Sequence, residues 1–243
     1  MKKFGLIGKS LGHSFSKIFF EEFFDKHSFI NYEYNLYELN SLEELMDLWE
    51  KNPELIGLNV TIPFKEKVIL YLDELSPVAK EINAVNVILR QGHRLSGGNT
   101  DGPAFLHTLN EFIPLHFQSS ALVLGNGGAS KAVQWALKMR EIPFTVVSRN
   151  PDFLNYAGIT EDILIQHKLI INTTSLGMHP MISQAPELPY SSLNKEFYLY
   201  DLVYNPEKTI FLIRGTSQGA RVKNGLAMLI KQAELSWQFW TKQ

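Results

Sequence analysis

Apolar residues recur in two periods along this chain. Phe4 to Gly8 is a short apolar run with polar residues on both sides, the pattern of a buried strand. Ser14 and Ser16 are hydroxyl residues of the kind that cap helices. Lys17 to Lys26 then sets Phe19, Phe20, Phe23 and Phe24 on one helical face. Asn31 to Leu39 alternates as a strand. Ser41 predicts the cap of a helix over Leu42 to Lys51, with Leu42, Leu45, Leu48 and Trp49 inward and Pro53 as its stop. Leu55 to Thr61 reads as a strand closed by Pro63. Helical turns are expected through Tyr71 and over Pro77 to Ile82. Ala84 to Arg90 and Arg94 to Gly97 predict a hairpin about Gln91-Gly92.

A helix over Pro103 to Phe112 leads into a second pattern. Ala121 to Leu124 is a strand, Ser130 to Arg140 a helix and Phe144 to Ser148 a strand, which together make a βαβ unit. Leu169 to Asn172 and Tyr198 to Leu202 add short buried strands, so a doubly wound α/β sheet is expected. Pro151 to Lys168 is short for a full crossover helix. The tail, Asn224 to Thr241, repeats Leu226, Leu229, Ile230, Ala233, Trp237 and Trp240 at helical spacing, and its apolar face is expected to pack back on the first unit.

Composition narrows the partners. The chain has 243 residues, 45% hydrophobic and 20% charged, with net charge -2, so nothing marks a nucleic-acid surface. It has no cysteine, which removes disulfides, thiolate metal sites and cysteine nucleophiles. The first apolar run stops too early for a secretory signal, and no stretch approaches membrane-spanning length. A cytoplasmic protein that binds neither membrane nor nucleic acid is expected. His13, His27, His93, His107, His116, His167 and His179 show no ligand spacing, so no metal is expected, and no G-x-S-x-G elbow occurs.

The candidate chemistry lies in short motifs. Gly125-Asn126-Gly127-Gly128-Ala129-Ser130 follows a strand and opens a helix, which gathers backbone N–H groups and the positive helix end at one point. Gly125 permits the turn and Gly127 permits close approach of a phosphate. Ser130 stands where a third glycine is usual, and a plain strand-to-helix turn would look similar. At the end of the next strand, Ser148-Arg149-Asn150 replaces the acid that binds a ribose hydroxyl in NAD sites. A guanidinium there suits a 2′-phosphate and points to NADP, although arginines are common in surface loops. Lys65 in Asn59-Val60-Thr61-Ile62-Pro63-Phe64-Lys65 and Asp101 in Asn99-Thr100-Asp101-Gly102 offer an amine and a carboxylate for proton transfer, a pairing that spacing alone does not establish. Ser14, Ser16, Thr61 and Asn86 lie at strand ends or element starts. Each has a structural use as a cap, strand or turn residue, and together they suit a hydroxylated carboxylate at a sheet edge. These features describe a nicotinamide-dependent oxidoreductase acting on a small hydroxylated substrate.

In order and number the motifs resemble those of the shikimate dehydrogenase family, nearly end to end. Gly5-Leu6-Ile7-Gly8 and Leu11-Gly12-His13-Ser14-Phe15-Ser16 look like its opening substrate motif, and Asn59 to Lys65 is similar to its most specific signature. Ala84-Val85-Asn86, Gly98 to Gly102, Asn172 to Met178, Asp201 to Pro206, and Asn224 to Leu229 with Gln232 follow in the family's order. The resemblance implies an N-terminal α/β substrate domain with a mixed sheet, over 1-101 plus 222-243, and a Rossmann-type NADP-binding domain over 102-221. It implies reversible reduction of 3-dehydroshikimate to shikimate by NADPH, a step of chorismate and aromatic amino acid biosynthesis. Lys65 and Asp101 would be the catalytic pair. Ser14 and Ser16 would bind the substrate carboxylate, and Thr61, Asn86 and Gln232 its hydroxyls, with Tyr204 nearby. Gly125, Asn126, Gly127, Gly128 and Ala129 would cradle the pyrophosphate; Ser148, Arg149 and Asn150 would meet the adenosine phosphate; and Met178, Leu202 and Gly225 would line the nicotinamide pocket.

Departures from the family pattern are local. Lys17 and Phe20-Glu21 stand where a proline and His-Asn are frequent, and Phe153 and Leu154 stand where a second arginine often follows Arg149. One guanidinium fewer implies a narrower preference for NADP. Two other readings fit the same motifs: a quinate/shikimate dehydrogenase with relaxed NAD or NADP use, and a non-catalytic metabolite-binding homologue. A monomer or homodimer is expected.

Overall fold

The computed structural model describes residues 1–12 and 14–241. His13, which belongs to the opening motif, lies outside the described residues, as do Lys242 and Gln243. The chain divides into two compact units, Met1–Asp101 with Ile230–Gln243, and Gly102–Leu229.

The first unit is built on a mixed sheet. Its strands are β1 (Lys2–Gly8), β2 (Tyr32–Glu38), β3 (Leu55–Val60), β4 (Glu74–Leu75), β5 (Val87–Gln91) and β6 (Arg94–Gly98), in the order β2-β1-β3-β5-β6-β4. β1 runs parallel to β2 and β3, whereas β3–β5 and β5–β6 are antiparallel. Helices α1 (Phe15–Lys26), α2 (Glu44–Lys51) and α3 (Pro77–Ile82) connect the strands, with a 3₁₀ turn over Lys67–Tyr71.

Alternation of side chains builds a core on each face of this sheet. Ile7, Leu58, Val60 and Ile88 join Leu45 and Trp49 of α2 on one face. Phe4, Leu6, Val87 and Leu89 join Phe20 and Phe24 of α1 on the other, where Ala233, Trp237 and Trp240 of the tail helix complete the layer. A register shift between Lys3 and Phe4 puts Leu55 on the same face as Leu58 and turns Gly57 toward the tail. A Cβ on Gly57 would lie 2.6 Å from the Trp240 indole, so the glycine makes room for that ring. The Trp240 indole also donates to the Ile88 carbonyl at 2.9 Å.

Three features of this unit differ from expectation. α2 starts at Glu44 rather than Leu42, because Glu44 accepts from the backbone N–H groups of Asn40 and Ser41 and Ser41 supplies no cap. β5 starts at Val87 rather than Ala84, since Val85 N is committed to Lys65 O outside the strand ladder. β4 is a two-residue strand beside β6, too short for any periodicity to announce.

The second unit holds a parallel sheet, order β11-β10-β9-β7-β8, from β7 (Ala121–Leu124), β8 (Phe144–Val147), β9 (Leu169–Asn172), β10 (Tyr198–Asp201) and β11 (Arg221–Lys223). Continuous apolar runs give strands β7, β9 and β10 that are buried along their whole length, as in sheets covered on both faces. Helices α4 (Asp101–Phe112), α5 (Gly128–Met139), α6 (Glu161–Gln166), α7 (Ile210–Ser217) and α8 (Leu226–Thr241) complete the chain, and α6 is the six-residue remnant that the short Pro151–Lys168 segment allows. No described helix is long and apolar enough to cross a membrane.

Candidate active site

Topology collects the candidate residues at one edge of the first sheet. Parallel strands β1 and β3 end there, so Ser14, Ser16, Thr61 and Lys65 follow their C-terminal ends. β5 runs the other way and starts there, with Asn86 just before it. β6 returns to the same edge, and Asp101 follows it.

Local chemistry then fixes each side chain. Beyond β3, Thr61 N donates to Ile7 O at 3.0 Å and Phe64 N to Thr61 O at 2.9 Å, across a cis Ile62–Pro63 peptide. Buried Phe64 anchors the turn in the core, and Val85 N grips Lys65 O at 2.7 Å. Lys65 Nζ donates to Asp101 Oδ2 at 2.7 Å, with the two side chains only 17% and 9% exposed. An ion pair withdrawn from water in this way needs its remaining polar atoms satisfied. Asn86 Nδ2 does this, donating to Asp101 Oδ1 and Thr100 Oγ1 at 2.9 Å each, while Asn86 Oδ1 accepts from Thr100 N at 2.7 Å.

The polar chain continues inward. Asn59 Nδ2 donates to Asn86 O at 3.1 Å and to Ser236 Oγ at 2.9 Å, and Tyr34 OH donates to Asn59 Oδ1 at 2.9 Å. Ser16 bonds to the Tyr34 phenol, and burial pushes that phenol's pKa well above the ordinary tyrosine range. Ser14 caps α1, its Oγ accepting from Ser16 N at 3.3 Å. Thr61 is half-buried, and so is Gln232, whose carbonyl accepts from Ser236 Oγ at 2.8 Å. Sequence reasoning missed Tyr34 and Ser236 as parts of this network and treated Asn59 and Thr100 only as motif letters. The available signals were an asparagine inside the apolar run Leu58-Asn59-Val60 and a serine on the apolar face of the tail.

In the second unit, Gly125 has φ +111, and a Cβ there would lie 2.7 Å from Thr173 Oγ1, so only glycine fits. Around Gly127, the N-cap of α5, no atom would come within 4 Å of an added Cβ. The backbone is open just where the first N–H groups of a 12-residue helix converge, which suits a dinucleotide pyrophosphate. Gly128 and Ala129 begin that helix after Asn126. Ser130, at the usual third-glycine place, donates to Gly125 O at 2.7 Å and so closes the turn itself.

After β8, Ser148 Oγ accepts from Asn150 N at 2.9 Å, and Asn150 Oδ1 accepts from Asp152 N at 3.0 Å, leaving Arg149 exposed at the tip. Burial raises the pKa of the neighbouring Tyr156 phenol, and the Arg149 charge partly offsets this. Gly225 lies against Leu202: a Cβ on Gly225 would be 2.1 Å from Leu202 O. Met178 is 41% exposed, and Tyr204 is half-buried. Asp201, fully buried, accepts from Asn172 Nδ2 at 2.9 Å, Val203 N at 3.0 Å and Thr209 Oγ1 at 2.5 Å. Burial pushes its carboxyl up to about 6 despite these three donors. It ties β9 to the loop that carries Leu202, a role the sequence motif did not reveal. Among the described residues no group of three or more His, Cys, Asp or Glu could hold a metal.

Comparison with known proteins places these features in context. The family model for the shikimate dehydrogenase substrate binding domain matches residues 6–88. The shikimate dehydrogenase (NADP(+)) of Desulforamulus reducens is 34% identical over 264 residues, covering 98% of this chain and 89% of that one. The crystal structure of shikimate 5-dehydrogenase from Thermus thermophilus, in complex with NADP(H) and shikimate, aligns with TM-score 0.88 and 33% identity over 100% of this chain and 94% of that one. The shikimate 5-dehydrogenase structure from Listeria monocytogenes, in complex with shikimate and NAD, aligns with TM-score 0.84 and 26% identity over 100% of this chain and 92% of that one.

Proposed function

Because the chain belongs to the shikimate dehydrogenase family, we propose that it interconverts 3-dehydroshikimate and shikimate with NADP, and that Lys65 and Asp101 carry the proton transfer. The carrying observation is the 2.7 Å Lys65–Asp101 contact between residues 36 apart, with Asn86 on the second carboxylate oxygen.

NADPH, when bound, supplies the hydride. As negative charge develops on the substrate oxygen, the Lys65 ammonium stabilises it and donates a proton; in the reverse direction the neutral amine takes the hydroxyl proton. Such help is typically worth about 10²–10⁴-fold. A lysine ammonium has three protons, and Asp101 holds one, which aims the group. We assign Ser14 and Ser16 to the substrate carboxylate, and Thr61, Asn86, Gln232 and Tyr204 to its hydroxyls. Residues 1-101 plus 222-243 form the substrate-binding part in this reading, and 102-221 the cofactor-binding part. There Gly125 to Ala129 hold the pyrophosphate, Ser148, Arg149 and Asn150 the 2′-phosphate, and Met178, Leu202 and Gly225 the nicotinamide. A cysteine-free chain suits the reducing cytoplasm, and we place the enzyme there as a monomer or homodimer.

The test is loss of NADPH absorbance that depends on 3-dehydroshikimate, repeated with NADH and, in the oxidative direction, with quinate. Turnover with NADPH is expected. NADPH binding without such turnover would mark a non-catalytic homologue instead.

A further inference from the structure

The hydrogen bonds that hold Asp101 continue past Asn86 to the C-terminal helix. Ser236 is fully buried on α8, one turn before Trp240 and next to Trp237. Its one hydroxyl proton goes to Gln232 O at 2.8 Å. With that proton placed on Gln232 O, the 3.2 Å contact with Thr100 Oγ1 uses the threonine's proton, which Asn86 Oδ1 shares at the same 3.2 Å, and the 2.9 Å contact from Asn59 is made by the amide's. With its proton turned to Ser236, Thr100 Oγ1 presents a lone pair to Asn86 Nδ2. That nitrogen has two protons: one goes to Thr100 and the other to Asp101 Oδ1. The Asn86 amide can face the carboxylate only this way round, since the flipped amide would set oxygen against oxygen.

We propose that Ser236 is a positioning residue for the Lys65–Asp101 pair, acting through Thr100 and Asn86. This rests on the reading of Lys65 and Asp101 as the proton-transfer pair. Removing the Ser236 hydroxyl leaves a buried Asn59 proton without its acceptor. It also leaves the Thr100 hydroxyl, now shared between Ser236 Oγ and Asn86 Oδ1, to swing wholly onto Asn86 Oδ1. Thr100 N still holds Asn86 Oδ1, but the Thr100 Oγ1 contact to Asn86 Nδ2 loosens, and with it the aim of the Asn86 donor on Asp101 Oδ1. Misplacement of a reacting group by about 1 Å costs on the order of 10²-fold in rate, so a loosened carboxylate registers in turnover.

The experiment compares Ser236→Ala, Thr100→Val, their double variant, Thr100→Ser, Thr241→Ala and Lys65→Ala in reduction of 3-dehydroshikimate by NADPH. Thr241 Oγ1 donates to Trp237 O at 2.8 Å, the same back-bond on the same helix, without contact to the network. Expected are a kcat lowered about ten- to a hundred-fold in Ser236→Ala and Thr100→Val, with KM for NADPH unchanged, and a double variant no worse than the poorer single. Thr100→Ser, which keeps the hydroxyl, and Thr241→Ala should both turn over like the wild type. If Lys65→Ala is impaired while Ser236→Ala is normal, the positioning role is overturned and the catalytic pair stands. Equal losses in Ser236→Ala and Thr241→Ala, or additive losses in the double variant, also overturn it. Normal turnover in Lys65→Ala overturns the pair itself.

Discussion

Asn86 and Asp101 are joined by one hydrogen bond, Nδ2 to Oδ1 at 2.9 Å, and that bond decides which carboxylate oxygen is left for Lys65. Because Oδ1 is held, Oδ2 meets the ammonium at 2.7 Å along a fixed direction. The Asn86 backbone is itself held on both sides, its N donating to Gly98 O at 3.0 Å and its O accepting from Val60 N at 2.9 Å. The sheet therefore orients the carboxylate, and the carboxylate orients the amine. This is the preorganisation that proton transfer requires, since donors aimed in advance cost nothing to reorganise during the reaction.

Close backbone approach gives the first prediction. A Cβ at Gly225 would sit 2.1 Å from Leu202 O, and a carbonyl cannot swing aside as a side chain can. Gly225→Ala should cost about 1–3 kcal/mol of stability, the usual range for overpacking. It should also raise KM for NADPH more than KM for 3-dehydroshikimate, read by thermal melting and initial rates. An unchanged melting temperature would show that the loop yields freely.

Arg149 gives the second. Charge-assisted hydrogen bonds are worth about 1.5–3 kcal/mol, or roughly 10–100-fold in binding. Arg149→Ala should weaken kcat/KM for NADPH by that order and leave NADH little changed, so the ratio of the two collapses. With Phe153 and Leu154 where a second arginine often stands, no replacement charge follows closely in the sequence. A ratio that survives the substitution would place the 2′-phosphate elsewhere.

The sequence made the apolar elements plain and hid the polar joins. Strands such as Ala121–Leu124 and Leu169–Asn172 are buried runs between turn residues, and the structure keeps both as read. β11 escaped notice because Arg221-Val222-Lys223 is a three-residue edge strand whose valine is exposed. α7 escaped because its Gly215 looks like a break; that glycine instead admits the Leu199 side chain, which lies 2.4 Å from where a Cβ would be. On α8 the sequence face included Leu226, which is 38% exposed, and omitted Ser236, which is fully buried. Hydrophobic periodicity has no way to mark a hydroxyl that is buried because other side chains bond to it.

Asp201 gives the third prediction. Its carboxyl ordinarily titrates at 3.8, and burial raises it to about 6 in the fold. Between those values the folded state binds more protons than the unfolded one, so stability is fully present below about 4 and falls as pH rises through about 6. The loss amounts to roughly 3 kcal/mol. Asp201→Asn carries no charge to bury and should lack this component. Urea unfolding from pH 4 to pH 7 should show the variant gaining on the wild type by roughly that amount. A difference that stays constant over this range would show that the carboxyl is not the titrating group.

The central claim is that Lys65 moves the proton. Its most direct measurement is single-turnover reduction of 3-dehydroshikimate by NADPH in Lys65→Ala, beside calorimetric binding of shikimate to the same protein. A rate lowered about 10²–10⁴-fold with binding largely kept is expected. A Lys65→Ala enzyme that reduces the ketone at nearly the wild-type rate would contradict it.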